Sequence, residues 1–439
     1  MNTLFKDELI LKTLVWLDEQ DPLTNRSIFR QAQLILLDTL GCVNAAYHSS
    51  TIKELEENFS TYDPGPHAIN NGPTMSTLSI AQLFAYAACW YEACEGHASA
   101  HGRPAIATIS AIYPFAKKLS YRQFLKALVY GYEISVRFAQ MLRIKPGMHV
   151  DGNWPCIGAT VAVGKCLNLS NEQLVNAINI ACTQIPMSLY LPISKGANSR
   201  NSYLGHAAVL GIQSAITAKT SIEAPDSAVI EYANIALGNK SPQWIDSEHF
   251  EILNSYIKPF ASVRHVHYGA LAAMELRTRV DITQIREIEL EIYEEATIYC
   301  GNRSPKTAIQ AQFSLSFGIA AALVLNHLNF EIYTEKVLFD PLITHLEEIV
   351  KIKINTELTN LGKRGAKVSI LDHTQWHHSE VSSILGDSKY PMDEKQIRDK
   401  FIHYSKDTIG QSMSKTICEN ILTNDLDQCF SKLLKINEC

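Results

Sequence analysis

Apolar residues recur at three- and four-residue spacing through roughly the first 220 positions, and this period predicts helix after helix. The segment RQAQLILLDTLGCVNAA (30–46) carries the spacing cleanly. STLSIAQLFAYAACWYEA (76–93) is apolar nearly all round, the mark of a buried helix. Two further segments open with a Ser followed three residues later by a Gln, Ser120 with Gln123 and Ser170 with Gln173, which is capping-box spacing. After about residue 280 the period shortens. In REIELEIYEE (286–295), Ile288, Leu290 and Ile292 alternate with charged residues, as in a half-exposed strand. EIVKIKINTEL (348–358) and GAKVSIL (365–371) predict two more strands, and QAQFSLSFGIAAALVLNHL (310–328) predicts a helix between the first and second. This region reads as a small α+β domain. From about Asp393 the chain turns charged and helical again and is expected to return to the first domain.

Composition narrows the function classes. A chain of 439 residues with 46% hydrophobic positions builds a large core, organised as two or three domains. A net charge of −6 leaves no basic stripe for nucleic acid or for an anionic membrane, so any cations that matter are local. The N-terminus has scattered charges and no apolar core before a cleavage site, and no apolar run approaches a membrane span. A cytoplasmic protein is expected. The ten cysteines lie far apart without a C-x-x-C pair, as buried free thiols of a reducing compartment do.

Four polar segments interrupt the helical pattern. YEACEGHASAHGRPA (91–105) places Glu92 and Glu95 ahead of His97 and His101 at a helix-to-loop transition. KPGMHVDGNWPCIG (145–158) carries His149 and Asp151. SKGANSRNSYLGHAA (194–208) supplies Lys195, Arg200 and His206, and IKPFASVRHVHYGA (257–270) supplies Lys258, Arg264, His265 and His267. Any one of these residues alone reads as a hydrogen-bonded or solvated group. Their grouping at helix ends in an otherwise acidic chain points to a cleft that binds carboxylates and moves protons near neutral pH. A metal site is not expected: Gly96 and Gly-Arg-Pro keep His97 and His101 off a regular helix, and WHHSE (376–380) lacks a third ligand. Phosphate-loop, dinucleotide and serine-hydrolase motifs are missing from the sequence.

Taken in order, these segments resemble the MmgE/PrpD family, which includes 2-methylcitrate dehydratases and cis-aconitate decarboxylases. The similarity runs through LLDTLGCVNAA (36–46), YEACEGH (91–97), HVDGNWPCIGATVAVGKCLNLS (149–170), RNSYLGHAAVLGI (200–212), KPFASVRHVH (258–267) and RSPKTAIQAQFSLSF (303–317). The resemblance implies a mainly α fold: a large all-helical domain formed by both chain ends (1–257 and 393–439) plus a smaller α+β lid domain (258–392). It also implies an active site between them, a homodimer, and no metal or organic cofactor.

Carried over residue by residue, the resemblance implies His101, His149 and Glu92 as catalytic groups. It implies Arg200, Lys258, Arg264 and His267 as contacts to a small carboxylate substrate; His97 and Lys195, from the same polar segments, are further candidates, Lys195 as a stand-in for the family's Lys. Glu92 stands where the family has Asp, Gly96 where it has Thr, Arg200 where it has Lys, and Phe317 where it has Tyr. The expected chemistry is proton abstraction next to a carboxylate by His149 or His101, with a protonated His or Glu92 assisting loss of water. Dehydration of a 2-methylcitrate-like substrate is the first reading. Decarboxylation, epimerisation and a non-catalytic carboxylate-binding relative are the alternatives.

Overall fold

The computed structural model describes residues 2–423 and 425–435. The helical spacing of the first half folds as read: Arg26–Ala46, Thr77–Cys89, Pro104–Ile112, Tyr121–Met141, Pro155–Cys166 and Tyr203–Ala218 pack on one another around a single apolar core. Both sequence-predicted capping boxes form. Ser120 begins the helix Tyr121–Met141, Ser170 begins Asn171–Cys182, and each is bonded reciprocally with its Gln. Small residues let helices touch at the backbone. A Cβ on Gly158 would overlap the Gly131 carbonyl, and one on Gly131 would strike the Gly158 carbonyl. The first core also takes in the C-terminal helix Glu394–Ile409, which lies on Arg26–Ala46, so both chain ends build it.

A second core is drawn from residues 266–384. Its four-stranded sheet has Val350–Ile354 parallel to Glu287–Ile292, then Ala366–Leu371 and Trp376–Val381 added antiparallel. The period-2 pattern accounts for the central strand. Ile288, Leu290 and Ile292 are fully buried, while Glu287 and Glu289 pair with Lys351 and Lys353, each at 2.6 Å. The helices Arg264–Leu276 and Leu315–Leu325 pack together, and the first of them lies against the strands Ala366–Leu371 and Trp376–Val381. One residue of this segment, Phe330, belongs to the first core instead, against Tyr91 and Tyr404.

Two expectations need correcting, and the sheet has one strand more than the sequence predicts. The segment 310–328 is two helices, Ala308–Gln312 and Leu315–Leu325, because Ser314 caps the second through the Phe317 amide and so breaks the first. The helix read over 76–93 stops at Cys89, and Glu92 lies beyond it with a left-handed φ of 54°. WHHSE forms a fourth strand, with His377 on Asp372 and His378 on Ser369. Of the ten cysteines, Cys439 lies outside the described residues; the other nine are free thiols, most of them buried. Among the described residues no helix is long and apolar enough to cross a membrane.

Candidate active site

A cavity of about 260 Å³ opens where the two cores meet, lined by residues of both. Among its described lining residues, six basic side chains (Arg103, Arg143, Arg200, Lys258, Arg264, Arg364) face three carboxylates (Glu92, Asp151, Glu295). Four imidazoles also line it, His97, His101, His149 and His265. In a chain that is acidic overall, such a wall is a local concentration of positive charge.

Glu92 is the hub of the inner wall. The left-handed turn after the helix Thr77–Cys89 directs it inward, a backbone state uncommon for residues other than glycine. Its carboxylate accepts from Arg103 at 2.9 Å, from Lys258 at 2.7 Å and from Arg200, and Lys258 also donates to its carbonyl at 2.8 Å. Burial alone would raise this carboxyl, but Arg103, Lys258 and Arg200 together hold it well below the usual carboxylate range. Three cations thus hold Glu92 as an anion, where the sequence offered it as an acid. Arg103 spans from Glu92 to Asp151, and Arg200 lies over the Phe313 ring at 5.4 Å and donates to Asn201.

The loop carrying Glu92 is anchored from behind. Lys400, from the C-terminal helix, reaches Asp38 at 2.5 Å, the Ala93 carbonyl at 2.8 Å and the Lys258 carbonyl at 2.9 Å. Asp38 in turn accepts the Glu95 amide at 2.9 Å. Glu95 does not line the cavity. It accepts the Ala105 amide in the first turn of Pro104–Ile112, and burial pushes its carboxyl up to about 8.

The histidines differ in what their nitrogens are free to do. His149 is buried, and its Nδ1 accepts the Asp151 amide at 3.1 Å, so the neutral ring carries its proton on Nε2. Burial brings this imidazole down to about 4; Asp151 opposes that while Arg200 and Arg103 add to it. His149 is thus a hydrogen-bond donor near neutral pH. His97 has both nitrogens engaged: Nδ1 accepts from Ser99 and from the Ala100 amide, and Nε2 faces Glu251. It fastens the turn that presents His101. His101 is half-exposed, has a left-handed φ of 55°, and sets Nδ1 3.8 Å from Glu295 across the gap between the cores. His265 meets the Tyr293 hydroxyl through Nδ1 at 2.6 Å.

Of the residues expected to bind substrate, Arg200, Lys258, Arg264 and His97 line the cavity. Lys195 does not; it is exposed on the short helix Leu191–Lys195. His267 is buried behind the wall, bonded to the Ser262 carbonyl and to Arg264, and so braces Arg264 rather than meeting a ligand. Arg264 is held further by Asp387 and by the Tyr256 ring at 5.0 Å. Phe317 packs in the second core, away from the cavity, so its missing hydroxyl does not alter the wall. Cavity phenols come instead from Tyr190, Tyr256 and Tyr299.

Sequence reasoning missed Arg103, Arg143, Glu295 and Arg364 as site residues. Arg103 sat inside a segment already singled out, beside His101. Glu295 read as the polar end of a strand, and Arg364 lies just outside the predicted strand 365–371.

The comparisons with known proteins come to the same place. No curated protein matches the chain at the threshold of comparison. The family profile for the MmgE/PrpD N-terminal domain matches residues 21–236 and that for the MmgE/PrpD C-terminal domain matches residues 260–424. With most of its length accounted for by these two domains, the chain belongs to the MmgE/PrpD family.

Proposed function

We propose that the protein is a cofactor-independent lyase that removes a proton next to a carboxylate of a small di- or tricarboxylate, first of all in a 2-methylcitrate-like dehydration. The observation that carries this reading is the cavity wall itself: six basic side chains and unspent imidazole nitrogens around a space of metabolite size. Arg200, Lys258, Arg264 and Arg103 grip carboxylates of the substrate. Proton removal places negative charge on the adjoining carboxylate as an enolate, and the same fixed cations stabilise it without reorganising. His101 is the base this geometry favours. His149 donates its Nε2–H as a hydrogen bond to the developing oxyanion, a task suited to a neutral imidazole. Decarboxylation and epimerisation share the enolate and differ in what leaves or returns. The domain division near residues 257 and 392 and a homodimeric assembly belong to the same proposal.

The test is proton exchange in deuterated water, followed by NMR, on a panel of citrate, 2-methylcitrate, cis-aconitate and amino- or imino-dicarboxylates. Deuterium entering next to a carboxylate, with or without loss of water or carbon dioxide, supports the lyase and names its substrate. Silence across the panel with a folded protein moves the reading to a carboxylate-binding relative.

A further inference from the structure

Of the four imidazoles on the cavity wall, three have their Nδ1 committed elsewhere: His97 to its own turn, His149 to the Asp151 amide, His265 to Tyr293. His101 is different. It stands on a loop of the first core, and its Nδ1 looks across the gap at Oε1 of Glu295, 3.8 Å away, in the second. The other oxygen of Glu295 lies 3.2 Å from the Arg364 guanidinium, which comes from the turn before the strand Ala366–Leu371. Arg364 and Glu295 line both this cavity and a neighbouring one of about 590 Å³, as His101 does.

We propose that Glu295 is the positioning residue of the catalytic base: its carboxylate accepts Nδ1–H of His101, so that Nε2 presents its lone pair to the substrate, and Arg364 fixes that carboxylate at the rim. This rests on the lyase reading above. A contact of 3.8 Å becomes a hydrogen bond through a small approach of the two cores, and catalytic hydrogen bonds are commonly long before the ligand is bound. The proton balance is complete. His101 Nε2 takes the proton from carbon, the C–H electron pair becomes the enolate, and the imidazolium is paired with Glu295. The imidazolium then returns that proton to the departing hydroxyl as water leaves, and neutral His101 is restored. The base is thus whole only when both cores contribute. No feature of the sequence near His101 reveals this, because its partners lie about 190 and 260 residues away.

The groups facing His101 are Glu295, Arg143, Arg364 and His265. Burial lowers its imidazole, Arg143 and Arg364 lower it further, and Glu295 opposes them. Removing the Glu295 charge must therefore move His101 down.

The experiment compares the full-length protein with Glu295→Gln and Arg364→Lys. The His101 imidazole is titrated by NMR, its signal identified by loss in His101→Asn, and proton exchange is followed against pH. In Glu295→Gln the His101 titration is expected to fall by about one unit, and the exchange kcat to fall roughly 100-fold with KM nearly unchanged. Arg364→Lys, which keeps the charge and loses the planar fork, is expected to show a smaller fall in kcat. An unmoved His101 titration, or a shifted titration with an undiminished kcat, overturns the proposal. Silence of the wild-type protein on the substrate panel sinks the lyase reading instead, while the titration still decides the pairing. Glu295 is partly exposed, so its substitution is compatible with folding; if Glu295→Gln does not fold, Glu295→Asp is expected to lower kcat by lengthening the contact, and an unchanged kcat overturns the proposal in the same way.

Discussion

At the scale of single residues, the site depends on which nitrogen or oxygen is already occupied. Glu92 and His149 stood together as catalytic candidates by sequence, and the structure separates them by hydrogen bonding. Glu92 is spent on three cations, and His149 is fixed as the Nε2–H tautomer by a backbone amide. This distinction is testable by shape. The amide nitrogen of Gln occupies nearly the place of Nε2–H and donates as it does, but it accepts no proton. His149→Gln is therefore expected to retain proton exchange within about 10-fold of wild type, whereas His149→Ala is expected to lose roughly 100-fold or more. Equal and complete loss in both variants, measured by deuterium incorporation, would return His149 to the part of base. Arg200 shows a second kind of occupancy. Its guanidinium meets Glu92, Asn201 and the Phe313 face at once, a set that the point charge of Lys does not reproduce.

At the scale of elements, most helices were legible because periodicity and caps are local properties. The central strand was equally legible, since its apolar face and its lysine partners appear as strict alternation. What remained hidden were the places where an element stops for a tertiary reason. The helix Thr77–Cys89 ends inside an apolar run because the chain must turn Glu92 toward Arg103, Lys258 and Arg200. The four chemical segments were legible, whereas Glu295 and Arg364 were not: a charged residue at a strand end looks solvated until another domain faces it. The helix Pro104–Ile112 yields a prediction of its own. Glu95 caps it from a fully buried position, and burial pushes the carboxyl up to about 8 from an ordinary value of 4.5. The sign follows from proton counting. Between about 4.5 and about 8 the native protein holds this proton and the unfolded chain does not, so stability from this group falls as pH rises through that window. Glu95→Gln keeps an acceptor for the Ala105 amide and removes the titration. Its melting temperature is expected to gain on wild type steadily from pH 5 to pH 8; parallel curves for the two proteins would show that Glu95 is ionised throughout.

At the scale of the whole molecule, the question is why both chain ends are needed for a site made mostly from the middle. Lys400 supplies the answer. It is nearly 400 residues from the N-terminus, yet it joins Asp38 of an early helix to the carbonyls of Ala93 and Lys258, the neighbours of the two groups that set the inner wall. One ammonium with three acceptors suits this post, because its three protons are all used and its charge offsets a fully buried carboxylate. Burial raises the Asp38 carboxyl, with Lys400 the chief opposing influence. Lys400→Met would leave Asp38 buried and unpaired at a cost of about 3–5 kcal/mol, and it would free the loop that aims Glu92. Both stability and proton exchange are then expected to fall. Lys400→Met with Asp38→Asn removes the stranded charge, so stability should return in part while the loop stays untied. Recovery of stability without recovery of kcat, read from denaturant unfolding beside deuterium incorporation, would show that the C-terminal helix acts through the position of the Glu92 loop. Joint recovery of both would mean that Lys400 matters only for balancing Asp38.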